Sequence, residues 1–135
     1  MSLNKNRIGL IILASVAVLA LVVLGIYRLF FACQFSDACK ESGLCTTATG
    51  ACIAASDAEC EKSADCNLKG RCKAEEGRCV AGSDEDCKRS EWCKDRGMCT
   101  IETHDCIAGS DDDCKQSVKC IKYSQCVAMG GVCVM

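Results

Sequence analysis

The chain has 135 residues, 16 of them cysteine and none proline, and its 16 Lys and Arg against 18 Asp and Glu leave a net charge of −2. So high a cysteine density is far above globular usage and places the chain among disulfide-rich extracytoplasmic proteins. Every cysteine and every acidic residue lies from Cys33 onward, whereas Lys5, Arg7 and Arg28 precede it; the tail is therefore net acidic, which excludes nucleic acid as a partner because phosphate needs a basic face.

Residues 1–7 are read as a short cytoplasmic N-terminus and 8–32 as a transmembrane signal-anchor helix. From Ile8 to Tyr27 the sequence IGLIILASVAVLALVVLGIY carries no charge. At roughly 1.5 Å per residue such a helix matches the roughly 30 Å hydrocarbon thickness of a bilayer. A cleaved signal peptide has a shorter apolar core and a small-residue cleavage site, and Tyr27, Arg28, Leu29, Phe30 and Phe31 offer none. Lys5 and Arg7 outweigh Arg28, so the positive-inside rule leaves the cysteine-rich part outside, in the periplasm if the source is bacterial. The small residues Ala14, Ser15, Ala17, Ala20 and Gly25 never fall four apart, so no GxxxG-type self-pairing is indicated. With Leu29 to Ala32 in place of a capping sequence, the anchor is expected to run unbroken into the first repeat helix as far as Gly43, holding the extracytoplasmic part rigidly.

From Cys33 the cysteine spacing repeats with a period of 27 residues, giving units 33–59, 60–86, 87–113 and 114–135. Cys33 keeps this register, which argues against lipidation there. Ser36, Ser63, Ser90 and Ser117 share one column; Gly43, Gly70 and Gly97 share another, with Ser124 as the exception; Gly50, Gly77 and Gly131 share a third, with His104 as the exception. The connectors read IAASDAE, VAGSDED and IAGSDDD.

In the connector leading into the third unit, Ser83 followed by Asp84, Glu85 and Asp86 is an N-cap with acidic residues in the first turn. Gly97 is placed to end the helix in the left-handed region. One helix is expected over Asp84 to Arg96, with Cys87, Ser90 and Cys93 along a narrow face of small side chains. The segments around Glu102 to His104 read as a short hairpin. The fold class is thus an N-terminal transmembrane helix followed by a small disulfide-rich α+β array of four helix-plus-hairpin units, stacked as a short rod.

The cysteines lack metal and redox patterns, since no C-x-x-C occurs and His104 is the sole histidine. A unit of this size cannot sustain a hydrophobic core, so disulfides must supply the order. On a shared helix Cys87 and Cys93 would stand about 9 Å apart, beyond the roughly 7 Å limit for bonding. Nested pairing is favoured: Cys33–Cys52 with Cys39–Cys45, Cys60–Cys79 with Cys66–Cys72, Cys87–Cys106 with Cys93–Cys99, and Cys114–Cys133 with Cys120–Cys126. First-with-third pairing and links between neighbouring units stay open.

The acidic clusters at Asp84 to Asp86 and Asp111 to Asp113 read as helix caps, because the EF-hand glycine and distal glutamate are missing. His104 reads as a turn residue, the recurring serines as small packing residues, and Trp92 as a contact residue. No catalytic, metal or cofactor site is expected. The expectation is a non-catalytic accessory or structural subunit whose partners are the bilayer and other membrane-protein subunits. The alternative is an anchored extracytoplasmic binding module, which an exposed apolar patch on the repeats would favour.

Overall fold

A computed structural model describes residues 5–135, and the chain divides into two compact units with the boundary between Ala32 and Cys33. The first unit is helix α1 (Lys5–Phe31), 27 residues long with no acidic residue in its first turn. Its described side chains from Ile11 to Tyr27 are exposed. Among the described residues no helix is long and apolar enough to cross a membrane, the described side chains of α1 running unbroken only over Ile11 to Tyr27.

The expected unbroken helix from the anchor to Gly43 does not form. Helix α1 ends at Phe31, residues 32–35 form a turn, and Ser36 opens a separate helix α2 (Asp37–Ser42). The reason is local: Ser36 Oγ donates to the Cys33 carbonyl at 2.7 Å and accepts the Cys39 N–H at 3.2 Å. A serine that bonds its neighbours' backbone offers the chain an alternative to continued helix.

The second unit is the repeat array. After α2 come β1 (Thr46–Ala48) and β2 (Ala51–Ile53); then α3 (Asp57–Glu61), α4 (Ala64–Lys69), β3 (Lys73–Glu75) and β4 (Arg78–Val80). Next come α5 (Asp84–Arg89), which leads from the second unit into the third, α6 (Glu91–Arg96), β5 (Thr100–Glu102) and β6 (Asp105–Ile107), then α7 (Asp111–Lys115), which leads into the fourth, α8 (Val118–Tyr123), β7 (Val127–Met129) and β8 (Val132–Val134). Each pair of strands is its own two-stranded antiparallel sheet. The hairpin turns have two residues; at Glu76–Gly77 both are left-handed (φ 49° and 79°), the turn whose twist matches that of the strands. In the third copy Thr103 is left-handed (φ 59°) and His104 is not, so the histidine occupies the glycine column without glycine's conformation.

The single helix expected over Asp84 to Arg96 is two helices. Ser90 is extended (φ −71°, ψ 155°), ending α5 and capping α6 at once. Its Oγ donates to the Cys87 carbonyl at 2.7 Å and accepts the Cys93 N–H at 3.1 Å. Ser63 and Ser117 repeat these bonds and are, like Ser90, almost wholly buried. The column of serines is therefore a column of internal N-caps, and Cys87 and Cys93 do not share a helix. Ser90→Ala removes a cap and leaves the part-buried Cys93 N–H without its acceptor, so it is expected to cost about 1–2 kcal/mol. Chemical denaturation of the oxidised protein checks this; a loss below about 0.3 kcal/mol would show that the cap is dispensable.

The array is built by repeating one junction. Helices α2, α4, α6 and α8 pack each against the next. The Ala54, Ala81 and Ala108 N–H groups donate to the carbonyls of Gly77, His104 and Gly131, at 2.8, 2.9 and 2.9 Å, tying each hairpin to the turn of the following one. The left-handed glycine ending each second helix lies against the next unit's disulfide: a Cβ on Gly43, Gly70 or Gly97 would fall 2.6, 2.8 or 2.7 Å from the Sγ of Cys79, Cys106 or Cys133. The core is made of sulfur and alanine, for example Ala81, Cys87 and Cys106 with Met98 and Ile101 packed on them.

Candidate functional site

All sixteen cysteines are bonded in the nested order. Cys33–Cys52, Cys60–Cys79, Cys87–Cys106 and Cys114–Cys133 each tie the start of a unit to its second strand across 19 residues. Cys39–Cys45, Cys66–Cys72, Cys93–Cys99 and Cys120–Cys126 each close the second helix onto the segment after it across 6 residues. The broken helix explains how both fit: the first cysteine sits just before the break and the second after it, so each faces its own partner. Among the described residues no cysteine is free.

The acidic clusters are spent on backbone and neighbouring side chains. Asp84 and Asp111 accept the N–H groups of Ile101 and Ala128, both at 2.8 Å. Asp113 takes the Thr100 hydroxyl and the Gly109 and Ser110 N–H groups, while Asp86 pairs with Arg89 at 2.6 Å. Asp112 meets Lys115 at 2.9 Å, and this hydrogen bond holds its carboxyl below the ordinary value. Among the described residues no group of three ligating side chains converges on a point.

His104 and Trp92 both belong to junctions. His104 Nε2 stands 3.2 Å from Glu75 Oε2 of the preceding unit, beside the Arg71–Asp105 ion pair at 2.6 Å. Arg71, His104 and Asp105 line an open polar cleft with Arg78, Glu102 and Thr103, and the Arg71–Asp105 pair joins the two units across it. Trp92 is half-buried, with the Arg96 guanidinium 4.5 Å and the Lys69 ammonium 5.7 Å from its ring centroid. Lys69 comes from the unit before, so the ring binds cations at an internal junction.

The feature that the sequence reading missed is the surface of the fourth unit. Ile121, Tyr123, Met129, Val127 and Val132 are exposed there, where the third unit has Lys94, Arg96, Glu102, Thr100 and Asp105. Apart from Lys122, no charged side chain occurs from Cys120 to Met135; the same columns hold five charged residues in the third unit and six in the second. Comparing the copies column by column, rather than seeking what they share, would have found it. Compared with known protein families, curated sequences and solved structures, the chain matches none. What stands is the class: a small disulfide-rich α+β repeat array with hairpins.

Proposed function

We propose that the chain is a single-pass, membrane-anchored, non-catalytic repeat protein, an accessory or structural subunit that holds its stapled array outside the membrane. The observation carrying this reading is the uncharged run from Ile8 to Tyr27 within α1, joined to an array in which every described cysteine is oxidised. An apolar helix of that length suits a bilayer, and disulfides of that number suit an oxidising compartment. Lys5 and Arg7 set the orientation, N-terminus in the cytoplasm.

The reading as an anchored binding module gains from the fourth unit, whose exposed apolar side chains form the kind of surface that marks a protein contact. Both readings predict that the full chain stays with membranes after an alkaline carbonate wash, and that deleting residues 8–27 releases it. Release of the full chain by the wash would overturn the anchor. Purification in mild detergent then separates the two: membrane subunits retained by α1 alone support the subunit reading, whereas a partner lost only when the fourth unit is altered supports the module.

A further inference from the structure

The apolar surface of the fourth unit is not scattered; it occupies the columns by which every earlier unit holds the next. The column of Tyr123 contains Ser42, which donates to Asp65 of the following unit at 3.5 Å, and Lys69, which lies over Trp92. The column of Val127 contains Thr46 and Thr100, whose hydroxyls donate at 2.7 and 2.8 Å to Glu59 and Asp113, on α3 and α7, the helices that carry the first cysteine of the following unit. The column of Met129 contains Glu75, the partner of His104. In the fourth unit the stacking face is thus rebuilt in apolar residues, and Tyr123 and Met129 are 63% and 66% exposed.

We infer that this face joins two copies of the chain tail to tail, fourth unit against fourth unit, around Tyr123, Val127 and Met129. Three observations choose a second copy in that orientation. The surface is continuous with a unit-to-unit interface that the chain already makes three times. It cannot take another stapled unit in the array's own manner, because Ser124 (φ 57°) stands where Gly43, Gly70 and Gly97 must lack a Cβ to clear the next disulfide. And where earlier units use these columns to meet a carboxylate, an imidazole or an indole ring, this face has no acidic or basic side chain in the three columns, so it is complementary to itself and closes as a two-fold pair. The inference holds whether or not α1 spans a bilayer.

The test uses the full chain in mild detergent. A photo-crosslinking phenylalanine analogue placed at Met129 is expected to give a covalent dimer on reducing gels, with the cross-linked peptide mapping to the fourth unit of the second copy. The same probe at Glu102, one unit back in the same column, is expected to give about tenfold less. The double variant Y123R/M129E installs the residues of the third unit at exposed positions, so folding is preserved, as a disulfide map identical to the wild type will confirm. It is expected to weaken the dimer in sedimentation equilibrium by about tenfold or more, corresponding to about 1.4 kcal/mol. A monomeric wild type, a dimer that survives Y123R/M129E and so depends on α1, or a Met129 probe that labels only lipid or an unrelated protein would each overturn the inference.

Discussion

Gly97→Ala is expected to destabilise the array by about 2–5 kcal/mol. Two costs combine. Gly97 has φ 73°, a left-handed conformation in which a Cβ crowds the backbone. The added carbon would also lie 2.7 Å from Cys133 Sγ, 2.8 Å from the Asp113 carbonyl oxygen and 2.9 Å from Cys114 Cα. Two of these neighbours are main-chain atoms and the third is locked in a disulfide, so none can swing away. The fourth unit must instead shift off the third, loosening the Ala108 N–H to Gly131 carbonyl bond. Ser124→Gly is the matched control: the position is exposed, and relief of its left-handed strain should leave stability unchanged or raise it by up to about 1 kcal/mol. Denaturant midpoints, with hydrogen exchange at Ala108, measure both. A Gly97→Ala protein within about 0.5 kcal/mol of wild type would mean that the junction is looser than its geometry.

Removing the two kinds of staple should have unequal effects. Loop closure alone predicts a loss of about 3 kcal/mol for Cys87→Ala/Cys106→Ala, which spans 19 residues, against about 2 kcal/mol for Cys93→Ala/Cys99→Ala, which spans 6. Packing widens the gap. Cys87 and Cys106 are 0% and 3% exposed and are the centre of the cluster with Ala81, Met98 and Ile101; deleting the sulfurs leaves a cavity costing about another 1–2 kcal/mol. Cys106 Sγ is also the atom against which Gly70 of the second unit rests. The long-staple variant should therefore loosen the junction with the second unit as well as its own, while the short-staple variant stays a local defect. Protection factors along the chain distinguish the outcomes; equal losses for both pairs would refute the idea that the long staple is the core.

The period, the hairpins and the reliance on disulfides were legible because each follows from spacing: 27 residues recur without a slip, and strands flank short turns. The break at Ser90 was not. A serine between Cys87 and Cys93 fits a helix face as well as a cap, and only its Oγ, bonded to the Cys87 carbonyl and the Cys93 N–H, decides between them. The same bonding at Ser36 ended the helix that was expected to continue from α1. Gly97 was legible as a helix stop but not as a seat for the next disulfide, since that contact joins residues 36 apart in sequence, Gly97 and Cys133. Trp92 was read as a half-exposed contact residue; that Lys69 of the preceding unit and Arg96 would meet its ring was not legible, because no single unit displays that junction.

The nested staples also bear on how such a chain acquires its bonds. No disulfide reaches further than 19 residues, and none leaves its own unit. A unit that has just entered an oxidising compartment holds four cysteines and chooses among three pairings, whereas two units oxidised together choose among on the order of a hundred. Emerging from the N-terminus, each unit can be sealed before the next presents its thiols. Each left-handed glycine that ends a second helix also lies against the next unit's long disulfide, so a unit with the wrong pairing would not seat on the one before it.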